Sequence, residues 1–216
     1  MAAETSAEEW LPRGAEIAIE RVDAADLEAR AASAGICAYA GILVVGRRRE
    51  YLAGRLAART ALQTLGADDL VVGRNDSAPV WPIGYCGSIS HSAELAVAIV
   101  ARSRHWRALG IDIEVRFAAN RIRVMQQAMS VDEFCVAQAS VDPWVWTRAW
   151  AAKEAAYKCL SVLGADLAFD ALLPRWKDAD RAELEACVDG AAIQVDLRCR
   201  IQHGLIWMVA STAVGD

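Results

Sequence analysis

Three acidic side chains and one lysine carry the sharpest chemistry in this sequence. Asp112 and Glu114 stand two apart in the apolar run Leu109–Val115, LGIDIEV. In a strand, a period of two puts both carboxylates on one face and Ile111, Ile113 and Val115 on the other. Two converging carboxylates make a hard oxygen site suited to Mg2+, which commonly takes one or two carboxylates and completes its shell with phosphate oxygens. A solvated acidic strand face is the plainer reading of the same pair. Glu154 and Lys158 lie in Trp146–Lys158, WTRAWAAKEAAYK. That stretch reads as a helix, because its residues are good helix formers and no Gly or Pro intervenes before Gly164. Trp150, Glu154 and Lys158 then share one face. Taken alone, Glu154–Lys158 is also what a surface pair looks like, worth about 0.2–0.5 kcal/mol.

A second group of residues suits anions. Ser90-His91-Ser92 follows the small-residue segment Gly87-Ser88-Ile89 and precedes a buried strand, Leu95–Val100. Read as a tight turn, this segment offers hydroxyls, backbone N–H groups and an imidazole. A nucleophilic Ser–His pair is disfavoured, since neighbours in sequence rarely aim at each other and no third partner is evident. Upstream, Arg47, Arg48, Arg49, Arg55 and Arg59 give a long helix a basic start and a basic stripe. Arginine forks suit phosphate oxygens, although a solvated charged face is the commoner fate of any one of them.

Those residues must be positioned by alternating strands and helices. Residues 1–13 read as a loose tail and Ile17–Val22 as a strand. Asp26–Ala32 reads as a short helix with Asp23 as its cap. Ile36–Val45 fits either a buried strand or the start of a helix. Arg47–Leu65 is a strong helix ending at Gly66. Leu70–Val72 is strand-like, and Arg74–Pro82, RNDSAPVWP, reads as loop. After the LGIDIEV strand, Arg121–Met129 and Val131–Ala139 read as helices. Ser130 and Glu133 form a capping box at the second. Asp142 or Thr147 opens the Trp146–Lys158 helix. Glu183–Val188, Ile193–Ile201 and Leu205–Ala210 are strands, the last two joined by a Gln202-His203-Gly204 hairpin turn. There is also an internal echo. RLAARTALQTLG ending at Gly66 resembles RAWAAKEAAYKCLSVLG ending at Gly164, and ELAVAIVARS from Glu94 resembles GLIWMVASTA from Gly204. The echo predicts two related α/β halves with a ligand crevice between them.

Composition bounds the answer. The 216 residues are 55% hydrophobic and 24% charged, enough to bury a large core, so disorder of the chain as a whole is excluded. A net charge of −5 argues against a general nucleic-acid binder and makes any anion site local. Six scattered cysteines form no CxxC and only three histidines accompany them, so a zinc site is not expected. The acidic start MAAETSAEEW does not read as a signal peptide, and the longest apolar run, near Gly35–Gly46, is too short to span a bilayer. The expected location is the cytoplasm, with reduced thiols.

Taken in order, a basic helix, SISHS, GIDIE and, about forty residues on, WAAKEAAYK resemble the 4′-phosphopantetheinyl transferase superfamily, in its two-halved Sfp-like or enterobactin-synthase (EntD-like) form. The family pattern is G-[IV]-D followed by [FW]-x-x-K-E-[AS]-x-x-K. Here it is Gly110-Ile111-Asp112 and Trp150 through Lys158. RRREYLAGRLAAR and APVWP…GSISHS also look like the EntD-type members, so the resemblance covers roughly residues 47–160.

The resemblance implies an α+β (α/β) fold, a pseudo-two-fold pair of halves, each a small sheet with a long helix. The halves would be residues 14–108 and 109–216 of one compact monomer. It implies transfer of the phosphopantetheine arm of coenzyme A (CoA) to a serine of an apo acyl or peptidyl carrier protein, releasing adenosine 3′,5′-bisphosphate, in siderophore or other secondary metabolism. Asp112, Glu114 and Glu154 match its metal-binding carboxylates, for Mg2+ with Mn2+ as the alternative. Glu154 matches the base for the carrier serine, directly or through water. Glu133 matches another acid given that role, in competition with its capping-box reading. Lys158 matches the lysine at the leaving phosphate, and Lys153 would add to the phosphate field. Ser90 and His91 match 3′-phosphate contacts, Arg47 and Arg55 the adenosine end, and Trp150 a packing position near the pantetheine channel. The chain departs from the pattern in two places. Ala151 stands where many members have Ser, Cys or Thr. Ala78 stands before Pro79 where Sfp-like members often have Lys or Arg, so that contact is missing or comes from Arg74. A CoA- or nucleotide-binding regulatory protein without turnover is the alternative. The transferase reading makes a geometric prediction: Glu154 and Lys158 point into the crevice, near both acids of GIDIE.

Overall fold

The computed structural model describes residues 10–36, 44–75, 78–92, 94–125, 128–165 and 167–215. Two strands buried on both faces organise it. β5 (Leu95–Arg102) is the middle of a three-stranded antiparallel sheet, between β1 (Glu16–Arg21) and β4 (Tyr85–Ser92). β10 (Leu205–Ala213) lies between β6 (Trp106–Val115) and β9 (Ala191–Gln202). Beyond β9 the sheet continues to β8 (Arg181–Val188) and the two-residue edge strand β7 (Arg175–Trp176). In both sheets the opening strand pairs with the closing strand, which also pairs with its own hairpin partner. The order β1-β5-β4 thus recurs as β6-β10-β9. Each opening strand is followed by a long helix on the same sheet: α2 (Val45–Thr64) against β1 and β5, and α5 (Val145–Ser161) against β6 and β10. The internal echo of the sequence therefore maps α2 onto α5 and β5 onto β10. Both helices stop at a glycine with positive φ, Gly66 at 69° and Gly164 at 84°, which a residue with a Cβ adopts only under strain.

Small side chains set the layer spacing. Ala57, Ala58 and Ala61 of α2, and Ala151, Ala152, Ala155 and Ala156 of α5, are buried against their sheets. Between the two sheets, Val97 and Ile99 of β5 meet Leu109, Ile111 and Ile113 of β6. Strands β4 and β6 run side by side at this seam without forming a ladder, in contact through side chains. The remaining elements are α1 (Leu27–Ser33), the hairpin β2 (Gly73–Asn75) and β3 (Ala78–Val80), α3 (Ala119–Met125) and α4 (Val131–Ala139). Among the described residues no helix is long and apolar enough to cross a membrane.

Several local expectations change. Gly87-Ser88-Ile89-Ser90 is not a tight turn but the body of β4, because its small residues fit the crowded seam. Leu70–Val72 is not a strand; the pairing instead joins Gly73–Asn75 to Ala78–Val80, within the stretch read as loop. Asp23 does not cap α1; it binds Arg21, and Asp26 stands at the cap position. The tail is not loose at Trp10, whose ring meets Trp207 edge-on at 6.4 Å. α3 ends at Met125, short of the expected Met129, with residues 126 and 127 outside the described set. β6 begins at Trp106, so a boundary at 108/109 falls inside a strand. Helix α5 opens at Val145, with Asp142 accepting from the Trp144 N–H at 2.9 Å. Most of the ambiguous Ile36–Val45 stretch, residues 37–43, lies outside the described residues.

Candidate functional site

Gly110 explains why the acidic strand and the lysine-bearing helix meet. A Cβ at this position would stand 1.9 Å from the Ala155 carbonyl oxygen and 3.0 Å from the Cys159 nitrogen. Only glycine lets α5 lie this close to β6. One turn of helix further, Lys158 reaches over the strand. Its Nζ donates to Asp112 Oδ1 at 2.7 Å, to the Ile111 carbonyl at 3.2 Å and to Ser90 Oγ at 3.3 Å. Ser90 Oγ donates to the same Asp112 oxygen at 2.9 Å and accepts from the Ile113 N–H at 3.4 Å. Asp112 is 4% exposed, and its second oxygen, Oδ2, is buried with no hydrogen-bond partner. Glu154 stands beside this group, Oε2 at 3.8 Å from Lys158 Nζ. Glu114 is bound by the Arg121 guanidinium through two bonds, at 2.8 and 3.2 Å.

The electrostatics follow from crowding. Burial pushes the Glu154 carboxyl above its ordinary value; Asp112 adds to this and Lys158 opposes it. Burial, then the charge of Asp112, push Glu114 up as well, against Arg121. A further cation among these acids would favour their charged forms. Among the described residues, no three His, Cys, Asp or Glu side chains stand close enough together to hold a metal ion by themselves. The donor set is instead two strand carboxylates with one unsatisfied buried oxygen. That fits a cation completed by substrate oxygens, as Mg2+ and Mn2+ are.

The other face of β4 serves a different purpose. Alternation sends Ser88, Ser90 and Ser92 inward, and Ile89 and His91 outward into a cleft of about 380 Å³. The first turns of α2 line this cleft with Arg47, Glu50, Tyr51 and Arg55. Arg47 donates to Glu50 at 3.0 Å and stands 3.2 Å from His91 Nε2. Arg55 is 8% exposed, donates to the Gly73 carbonyl at 3.1 Å and lies 4.8 Å over the Tyr51 ring. Burial lowers its pKa and neighbouring Arg74 adds to this, with Tyr51 opposing. Burial also lowers His91, Arg47 and Lys158 reinforcing and Glu50 opposing. Arg74 reaches the cleft because the β2–β3 register sets it directly opposite Pro79. Among the described residues, three guanidiniums and an imidazole thus line one cleft.

The expected site residues therefore form two clusters. Asp112 and Lys158 pair at the seam with Glu154 alongside, Glu114 lies two residues further along the strand in the grip of Arg121, and Arg47, Arg55, Arg74 and His91 line the cleft. The Ser90 side chain belongs to the first, not the second: in a strand it cannot face the same way as His91, and its Oγ bonds Asp112 and Lys158. Lys153 does not face the cleft either. One residue from Glu154, it is rotated about 100° around the helix and is fully buried, with its Nζ 2.8 Å from Glu133 Oε2 and 3.5 Å from the Phe169 carbonyl. Glu133 is held by the expected capping box, accepting from the Ser130 N–H at 3.0 Å. Trp150 packs against Phe169 and Phe117, ring centroids 5.1 and 6.4 Å away. Sequence reasoning passed over Arg121, Glu50 and Tyr51. The spacing of Arg47 and Glu50, three apart on a helix, was a usable signal. Arg121 reaches Glu114 across a loop, which no periodicity reports.

A family model described as the 4′-phosphopantetheinyl transferase N-terminal domain matches residues 43–101, and one described as the 4′-phosphopantetheinyl transferase superfamily matches residues 108–204. Enterobactin synthase component D of Salmonella typhimurium is 37% identical over 118 residues, 53% of this chain and 49% of that protein. The 4′-phosphopantetheinyl transferase Npt of Nocardia iowensis is 36% identical over 105 residues, 48% of this chain and 46% of that protein. The 4′-phosphopantetheinyl transferase PptT of Mycobacterium tuberculosis is 32% identical over 133 residues, 53% of this chain and 59% of that protein. The chain thus spans about half the length of the first two relatives. The first model takes in the arginines of α2 and the SISHS strand, the second both GIDIE and the helix of Glu154 and Lys158, and together they cover more than half of the sequence: the chain belongs to the 4′-phosphopantetheinyl transferase superfamily.

Proposed function

We propose that the protein moves the phosphopantetheine arm of CoA onto the serine hydroxyl of an apo carrier protein. The observation that carries this reading is the meeting of two sites on one strand. β4 presents His91 to a basic cleft and Ser90 to the Lys158–Asp112 pair, in adjacent residues. A substrate with a phosphate at one end and a pyrophosphate in the middle suits such a layout.

In the proposed reaction the serine oxygen bonds to the phosphorus that bears the pantetheine arm. The pyrophosphate P–O bond breaks, adenosine 3′,5′-bisphosphate leaves and the serine proton is released. Arg47, Arg55, Arg74 and His91 hold the 3′-phosphate end. Lys158, already on the seam, donates to the leaving phosphate as charge builds there. Glu154 takes the serine proton, directly or through water. Glu133 is the weaker choice for that role, because its Oε2 already serves Ser130 and Lys153. Asp112 and Glu114, with Glu154 alongside, would hold Mg2+ or Mn2+, and such an ion supplies charge neutralisation at the pyrophosphate when bound. We read the chain as two halves of a monomer that acts in the cytoplasm, parted at the start of β6 rather than at 108/109. The enterobactin synthase relatives point to carrier proteins of siderophore or similar secondary metabolism.

The test is incubation with CoA, Mg2+ and a panel of apo peptidyl, polyketide and fatty-acid carrier proteins. The expected result is a carrier heavier by one phosphopantetheine, read by mass spectrometry. A panel left unmodified would overturn the transferase reading. CoA binding without transfer would mark a regulatory protein instead.

A further inference from the structure

Arg121 sits on Glu114 in a way that a casual surface ion pair does not. Its guanidinium takes both carboxylate oxygens and also lies 4.1 Å over the Phe117 ring. Phe117 is itself fixed, 7% exposed, with its N–H donating to the fully buried Thr147 Oγ1 at 2.9 Å. The ring thus gives Arg121 a rigid support that does not depend on Glu114. On its outer side the Arg121 side chain is 46% exposed, whereas that of Glu114 is 13% exposed. The arginine can leave toward water; the carboxylate cannot.

The four oxygens of Asp112 and Glu114 are consequently in unequal states. Both of Glu114 are taken by Arg121, and Asp112 Oδ1 is taken by Lys158 and Ser90. Only Asp112 Oδ2, buried in a residue 4% exposed, has no partner. A divalent ion that enters at Oδ2 and also uses Glu114 meets Arg121 as a competitor, and their charges repel.

We propose that Arg121 is a displaceable counter-ion. It neutralises Glu114 in the metal-free protein and swings outward, still supported by Phe117, when a divalent cation takes the carboxylate. By that competition it sets the metal affinity. This rests on the reading of Asp112 and Glu114 as metal ligands.

The test titrates Mn2+ into the full chain without CoA, following free Mn2+ by electron paramagnetic resonance, with thermal unfolding as a check on the fold. Arg121→Gln should bind Mn2+ about fivefold more tightly, the factor for about 1 kcal/mol released from one partly exposed charged pair. Arg121→Lys, a point charge without the fork, should fall between Gln and wild type. A purely structural arginine would do the reverse, with Arg121→Gln unfolding earlier and binding Mn2+ less. Unchanged or weaker Mn2+ binding by Arg121→Gln overturns the proposal. Asp112→Asn separates the two failures. If it abolishes Mn2+ binding while Arg121→Gln matches wild type, only the counter-ion role falls. If Asp112→Asn binds as wild type does, or no variant binds Mn2+ either without CoA or with it, the metal reading falls with it.

Discussion

Replacing Lys158 with Met tests whether the Glu154–Lys158 helix face belongs to an interior site. In the native protein Lys158 is the cation of Asp112, at 2.7 Å, and the two side chains are 26% and 6% exposed. Met keeps much of the length and none of the charge. Asp112 would then keep only Ser90 on one oxygen and nothing on the other. Removing one partner of a buried pair costs about 3–5 kcal/mol. Lys158 admits some water, so the lower end applies, about 3 kcal/mol. For a chain of this size that lowers Tm by about 6–12 °C. A surface Glu–Lys pair would instead be worth about 0–1 kcal/mol. Urea unfolding of Lys158→Met, Asp112→Asn and the double variant measures the difference. In the double variant most of the loss should return, since neither charge is then left alone. Mg2+ should also stabilise Lys158→Met more than wild type, by up to about 2.7 kcal/mol at a hundredfold excess over Kd. A loss below about 1 kcal/mol, or strictly additive single losses, would refute the buried-pair argument.

Two further outcomes are expected. Gly110→Ala forces a Cβ to within 1.9 Å of the Ala155 carbonyl oxygen. The obstruction is backbone, so α5 must lift away from β6, at about 1–3 kcal/mol or more. Transfer activity and thermal stability should fall together, and retention of full activity would contradict the packing account. The second outcome concerns pH. Burial holds the His91 imidazole below its ordinary value of 6.5. The folded protein therefore binds this proton less well than the unfolded chain, and stability is lost as pH falls from 6.5 through the folded pKa. A bound phosphate raises the same pKa, so binding takes up a proton. Affinity for adenosine 3′,5′-bisphosphate should rise as pH falls across the range of about 8 to 5. His91→Gln should have a shallower slope, and calorimetric titrations with equal slopes for the two proteins would exclude the contact.

What was legible in the sequence was periodic or local. Asp112 and Glu114 announced their shared face by their spacing, and the fully buried Ile111 and Ile113 confirm its opposite. Ser130 and Glu133 announced a capping box that the structure contains. The halves announced themselves as an echo, since α2 and α5 meet the same packing demand with the same alanines. What stayed hidden depended on three-dimensional direction. SISHS looked like a turn because its residues are small, yet small residues also suit a strand pressed against another across a seam. Strand alternation then sends the Ser90 and His91 side chains to opposite faces of β4. Lys153 was read with Glu154 because they are neighbours, but a helix turns about 100° per residue, enough to send one to the seam and the other into the core. The strand register of Gly73–Asn75 was equally invisible, and it is what brings Arg74 opposite Pro79.

The division made by β4 also explains how an acidic chain can host a polyanion. A net charge of −5 repels phosphates at long range, and a single mixed pocket would set carboxylates against them at short range as well. Here one strand keeps the two apart. Its inward residues face Asp112, whose charge Lys158 holds at 2.7 Å, and its outward residues face Arg47, Arg55 and Arg74. Among the described residues that line the cleft, Glu50 is the one carboxylate, and it is bound to Arg47 at 3.0 Å and lies 3.6 Å from His91. A phosphate arriving there meets groups already gathered around an anion, so the geometry of its contacts exists before it binds. The same logic holds at the seam, where Arg121 and Lys158 occupy the acids before any metal does. Both sites are thus kept assembled by internal charges of the sign their ligands carry, and ligand binding becomes an exchange of partners between groups already in place.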